Sequence, residues 1–130
     1  MKKKKSYTAY IVILVLVVAG FLIFKSASST PGKYDELAQC LVDNGVVMYG
    51  AFWCPSCQNQ KKPFGNSWEV FADVGGYIEC STPQRTQTEL CQKEGITGYP
   101  TWKFEDGSKL SGERSLLELA QRGGCEAFLQ

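Results

Sequence analysis

The chain has no histidine among its 130 residues. That absence excludes a Ser–His–Asp triad, a Cys–His protease, a histidine-ligated zinc enzyme and a CxxCH haem site. Acid is missing from one end: residues 1–30 hold Lys2, Lys3, Lys4, Lys5 and Lys25 but no Asp or Glu. Residues 31–130 carry nine basic and thirteen acidic groups, a net of −4. A domain of that sign lacks the footprint of a nucleic-acid binder. There is no internal repeat, and no low-complexity tract beyond the lysine run. The length allows one compact domain plus an appendage. What is plentiful is sulfur, with six cysteines.

The appendage reads as a membrane segment. Ser6 to Phe24 is uncharged and strongly apolar from Tyr10 onward. As a helix of ~1.5 Å rise per residue, such a run just spans a hydrocarbon layer of ~30 Å. The expectation is a basic cytoplasmic tail at 1–6, a single-pass signal-anchor at 7–24, a small polar linker at 25–33 and a domain at 34–130. The lysines hold the N-terminus in the cytoplasm and send the domain outward. The rival is a cleaved signal peptide, processed near Ser26, Ala27 and Ser28. Either way the domain is exported, to a compartment where disulfides form and persist.

Within the domain, Tyr34, Leu37, Ala38 and Leu41 repeat at helical spacing, and Asn44 and Gly45 stop that helix. Val46 to Trp53 is a continuous apolar run, the mark of a strand covered on both faces. Helix signals resume at Pro55, suited to a first helical position, and end or kink at Pro63. Tyr77 to Cys80 reads as a short strand. Thr86 and Glu89 form a capping box for a helix ending near Gly95. Asp106 and Gly107 mark a hairpin between Thr101–Phe104 and Lys109–Ser111. Ser115 and Glu118 form a second capping box, for a last helix stopped by Gly123 and Gly124. Alternation followed by a hairpin implies an α/β fold, a mixed sheet with helices on both faces.

Trp53, Cys54, Pro55, Ser56 and Cys57 lie where the apolar strand meets a helix. Thiol–disulfide exchange uses a thiolate nucleophile, which a helix N-terminus stabilises. Two intervening residues place the second sulfur one turn in, where it closes a disulfide or resolves a mixed one. Cys54 is thus expected to be the exposed attacking sulfur, with a pKa below the free-thiol value of ~8.5, and Cys57 the sheltered one. CxxC alone also fits half a zinc site or a plain bridge; the strand-then-helix context favours redox chemistry. Tyr99 and Pro100 precede a strand, where a proline cannot donate to the sheet, so a turn is the plain reading.

The apolar strand, Trp53-Cys54 with Cys57, the following helix and the later Pro100-Thr101 together resemble the thioredoxin superfamily. The closer likeness is to the thioredoxin-like domain fused to bacterial and plant vitamin K epoxide reductase homologues, carried by Met48 to Cys57, Tyr77 to Cys80, Leu90-Cys91, Tyr99 to Trp102 and Ser115 to Ala120. The resemblance implies a thioredoxin-like fold, disulfide exchange between a membrane enzyme and exported substrates, and a cis Pro100 facing the CxxC. It implies a second bridge, Cys80–Cys91, whose loop of 11 residues contributes about 3 kcal/mol by chain entropy; a relay disulfide is the alternative. This chain departs in lacking the quinone-reducing membrane domain, so that such a partner acts in trans. Ser56 stands where many relatives carry His, which weakens any claim to a very low Cys54 pKa, and Met48 stands where cytoplasmic thioredoxins keep a buried acid, which argues against a thioredoxin-type reductase.

Cys40 and Cys125 remain open between a bond and two free or intermolecular thiols. Cys40 lies off its helix's apolar stripe, and a thioredoxin-like arrangement of first and last helices on opposite faces opposes direct pairing. Tyr49, Phe52, Trp102 and Phe104 read as core or sheet-face packing, Lys61 and Lys62 as a solvated helix face. Trp53, Pro55, Ser56, Tyr99 and Pro100 are expected to shape the site. The function expected is a membrane-anchored extracytoplasmic thiol–disulfide oxidoreductase, donating the Cys54–Cys57 disulfide to exported proteins, recycled by a quinone-linked membrane enzyme and needing no cofactor or metal. The alternatives are a reductase or isomerase of the same compartment, and a structural zinc module of Cys54, Cys57, Cys80 and Cys91. The second of those pairs is spaced by ten residues, unlike a zinc ribbon.

Overall fold

A computed structural model describes residues 7–26 and 30–130. The chain falls into two units, divided after Thr30. The first contains helix α1, Tyr7–Ser26. Its successive Ile11, Val12, Ile13 and Leu14 point to different sides and are all exposed, so the helix is apolar all round. Among the described residues no helix is long and apolar enough to cross a membrane. The side chains at 23–26, which close the expected span, lie outside the described ones, as do the basic tail at 1–6 and Ala27 and Ser28 of the processing reading.

The second unit, Pro31–Gln130, is a four-stranded mixed sheet of β1 (Val47–Gly50), β2 (Tyr77–Glu79), β3 (Thr101–Lys103) and β4 (Lys109–Ser111). The strands lie in the order β2-β1-β3-β4, with β1–β2 parallel and the other pairs antiparallel. The helices are α2 (Asp35–Asp43), α3 (Pro55–Lys61), α4 (Ser67–Phe71), α5 (Glu89–Lys93) and α6 (Leu116–Gly123).

Strand alternation sorts the core into two halves. Val46, Met48 and Trp102 face Leu37, Ala38 and Leu41 of α2, Phe71 of α4, Leu119 and Ala120 of α6, and Cys57. Tyr49 faces the other way, onto Cys80, Cys91 of α5 and Ile96. Helices therefore cover both faces, but unequally. The first and last helices of this unit, α2 and α6, share a face: a Cβ on Gly123 would stand 2.7 Å from Leu41 Cδ2. That overturns the expected opposite placement, and Cys40 and Cys125 are joined by a disulfide.

Local signals account for most element ends. Asn44 closes α2, and Gly45 takes φ 73°. Ser115 Oγ accepts from Glu118 N–H at 3.1 Å, and Gly124 ends α6 in the left-handed region at φ 67°. Ser108 N–H donates to Asp106 Oδ1 at 2.8 Å in the hairpin. Two expectations need correction. The apolar run forms a strand only over Val47–Gly50, because the chain turns at Ala51 to present the CxxC. The Thr86 capping box does not form: α5 starts after Thr88, whose hydroxyl caps nothing, while Thr86 Oγ1 pairs with Thr82 Oγ1 at 2.7 Å. The stretch 64–76, for which the sequence predicts no element, holds α4 and a wide turn with Gly75 at φ 98°.

Candidate active site

The end of β1 delivers Cys54 to the N-cap of α3, with Pro55 at the first helical position. Extended backbone there (φ −81°, ψ 120°) turns Cys54 Sγ back over the helix, where it accepts the Cys57 N–H at 3.3 Å. This is the polarity a thiolate needs, since the first N–H groups of a helix have no intrahelical partner. From the other side, the Cys54 thiol reaches the Tyr99 carbonyl at 3.5 Å, just before the cis Tyr99–Pro100 peptide. Pro100 is buried behind the site.

Cys54 and Cys57 are free thiols. Cys54 is only 6% exposed, against the expectation of an open sulfur, and Cys57 is fully buried. Of the two, Cys54 is the less buried. Burial pushes the Cys57 thiol up to about 12; its contact with Cys54 adds to this, and the Ala51 backbone and the Lys61 ammonium oppose it. At neutral pH Cys57 is a thiol.

Trp53 and Tyr99 shape the rim. Their rings meet edge to face at a centroid distance of 6.0 Å, and Trp53 Nε1 donates to Ser81 Oγ at 2.7 Å. Phe52, expected in the core, is 46% exposed beside them. Pro55 is exposed and Ser56 half-buried. The Cys80–Cys91 disulfide lies fully buried on the opposite face of the sheet, next to Tyr49. Because those sulfurs are bonded to each other, the four-cysteine zinc module is not built.

Several site residues have no motif to announce them. Tyr77 and Glu79 pair in register with Met48 and Gly50, on the face that α3 covers. Tyr77 Oη donates to Glu79 Oε2 at 2.8 Å. Lys61 is half-buried, 4.9 Å from the Tyr77 ring centroid and 5.3 Å from that of Trp68, not on a solvated face. Gln60, buried on α3, clamps the backbone of Arg114. The available signal for Tyr77 and Glu79 is a polar pair at period two on a strand covered by a helix.

No family model matches the chain. It is similar to the thiol-disulfide oxidoreductase LTO1 of Arabidopsis thaliana, 40% identical over 103 residues, covering 76% of this chain and 26% of that protein. It is similar to the protein disulfide-isomerase-like protein EhSep2 of Emiliania huxleyi, 30% identical over 99 residues, covering 69% of this chain and 43% of the relative. Protein disulfide-isomerase 1 of Dictyostelium discoideum is 28% identical over 96 residues, 67% of this chain and 26% of its own length. The chain thus spans about a quarter of the first and third and under half of the second. With the mixed sheet and the free cysteine pair at a helix N-terminus, these similarities support a place in the thioredoxin-like superfamily and thiol–disulfide oxidoreductase activity.

Proposed function

We propose that this protein is a membrane-anchored, extracytoplasmic thiol–disulfide oxidoreductase that donates the Cys54–Cys57 disulfide to exported proteins. The observation that carries the reading is Cys54 at the N-cap of α3, accepting the Cys57 N–H and facing the Tyr99 carbonyl. A substrate thiolate attacks Cys54 Sγ, and Cys57 leaves with the electron pair and takes up a proton. A second substrate thiolate then attacks the substrate sulfur of the mixed disulfide, forming the substrate disulfide and releasing Cys54.

Export is supported by the lysine-flanked apolar stretch in α1 and by two further disulfides, Cys40–Cys125 and Cys80–Cys91. The resemblance to domains fused to vitamin K epoxide reductase homologues suggests the recycling partner, a quinone-linked membrane oxidoreductase acting in trans. The relatives named protein disulfide isomerases favour a second reading, an isomerase of the same compartment.

The test is a trap. Cys57→Ser leaves unresolved the mixed disulfide that reduced Cys54 forms with an oxidised protein, so isolating that adduct from membranes identifies the recycling enzyme, or a substrate disulfide that Cys54 attacks if the flow runs as reduction. Cys54→Ser traps nothing and abolishes exchange. The reduction potential decides direction: a value far above the ~−270 mV of thioredoxin is expected, and a value near it overturns donation in favour of reduction.

A further inference from the structure

A buried thiol that enters and leaves a disulfide must exchange its proton, and Cys57 has no exposure to water through which to do so. The residues against it decide where that proton goes. Met48, on the strand beneath, has no acid–base group. The titratable and charged groups facing Cys57 and the Tyr77 hydroxyl are Cys54 and Lys61 from α3 and Glu79 from β2. Lys61 Nζ lies over the Tyr77 ring and makes no hydrogen bond to Cys57. Cys54 is the reaction partner.

Tyr77 is left. A Cβ on Gly50 would stand 3.2 Å from Tyr77 Oη, 3.2 Å from Cys57 Sγ and 2.8 Å from Tyr77 Cε2. The missing side chain of Gly50 therefore leaves an open space that the Tyr77 phenol and Cys57 Sγ border together, with no hydrogen bond between them. The Tyr77 hydroxyl donates to Glu79 Oε2 at 2.8 Å, which turns its oxygen lone pairs away from Glu79 and leaves them free to accept. Glu79 is itself pinned: its Oε1 accepts from Phe52 N–H at 3.2 Å and Ser81 N–H at 2.9 Å. The Lys61 ammonium lies over the Tyr77 ring, with its centroid at 4.9 Å.

We propose that Tyr77 and Glu79 form a proton relay for Cys57, Tyr77 as the group beside the reacting sulfur and Glu79 as the residue that positions it and receives the proton. This rests on the reading of Cys54 and Cys57 as the exchanging pair. In the closing step, Cys57 turns its S–H onto the Tyr77 oxygen across the space that Gly50 leaves open, and that proton passes to the Tyr77 oxygen as the Tyr77 hydroxyl proton passes to Glu79 Oε2. Cys57 Sγ attacks the Cys54 sulfur of a mixed disulfide. The Cys54–Cys57 bond forms, and the bond from Cys54 to the outside sulfur breaks with its electron pair leaving on that sulfur. The cysteine pair is oxidised by two electrons, and the outside disulfide that formed the adduct is reduced. In the opening step the proton returns by the same route. Burial, then the Glu79 contact, raise the Tyr77 phenol, which therefore passes a proton on without resting as phenolate.

The two steps separate in time when the reduced full chain reacts with the aromatic disulfide 5,5′-dithiobis(2-nitrobenzoate). Attack by Cys54 releases the first thionitrobenzoate, and attack by Cys57 on the resulting adduct releases the second. Both phases are followed in Tyr77→Phe, Glu79→Gln and the wild type from pH 5.5 to 9.5. Glu79→Gln keeps an oxygen acceptor for the Phe52 and Ser81 N–H groups, so it perturbs the fold least. The expected result is a second phase slowed at least tenfold near pH 6–7 in both variants and recovering toward pH 9.5, with the first phase within twofold of wild type. A second phase unchanged in Glu79→Gln, or slowed equally at every pH, overturns the relay. Absence of the first phase in the wild type instead refutes Cys54 as the attacking thiol, a failure of the parent reading distinct from that of the relay.

Discussion

The clamp between α3 and the segment leading into α6 sets a quantitative test. Gln60 lies three residues beyond Cys57 and is 1% exposed. Its Nε2 donates to the Arg114 carbonyl at 2.8 Å, and its Oε1 accepts the Arg114 N–H at 2.5 Å. Methionine matches glutamine in length and flexibility, so Gln60→Met preserves packing and removes both bonds. Each lost bond is worth about 1 kcal/mol net, and each stranded backbone group costs about 1–3 kcal/mol when buried. Arg114 is only half-buried, so water relieves part of that penalty. The expected destabilisation is about 2–4 kcal/mol. For a domain of about 100 residues, 3 kcal/mol corresponds to a fall in Tm of about 12–24 °C. Urea unfolding at unchanged m reads it directly. Gln39→Met is the control: Gln39 bonds Asp43 at 2.8 Å in the open, and its loss should cost less than about 0.5 kcal/mol. If the two variants prove equally stable, the Gln60 bonds contribute no more than exposed ones and the reasoning fails.

Other changes probe separate links. Ser115→Ala should lose about 1 kcal/mol because Ser115 Oγ caps α6, whereas Thr88→Val should be neutral or stabilising because the Thr88 hydroxyl is buried with no partner; thermal melts compare them. Gly50→Ala puts a methyl 2.8 Å from the Tyr77 ring and 3.2 Å from Cys57 Sγ, so it should slow release of the second thionitrobenzoate and lower Tm together; wild-type values for both would show that the strand yields freely. Replacing both Cys40 and Cys125 by Ala reopens a separation of 85 residues, worth about 4.6 kcal/mol of chain entropy; a urea midpoint within error of wild type would remove the staple role.

What the sequence determined by itself was local chemistry. The CxxC at a strand-to-helix junction, the Ser115 cap, the Asp106–Gly107 hairpin and the glycine stops at Gly45 and Gly124 follow from interactions a few residues apart, which the chain carries wherever it folds. The thiol pair was legible for that reason. Where two local signals compete, neighbours in space decide. Thr86 has the spacing of a cap, but Thr82 takes its hydroxyl and α5 begins after Thr88. The rest depended on sheet order and register, which no short segment encodes. Placing α2 and α6 on one face brought Cys40 to Cys125 across 85 residues. The parallel register of β1 and β2 set Tyr77 against Met48 and Glu79 against Gly50, and the hydrogen at Gly50 in place of a side chain left the space that the Tyr77 hydroxyl and Cys57 border together. The sulfurs were written in the sequence; Tyr77 and Glu79 come to the buried one only where two strands meet.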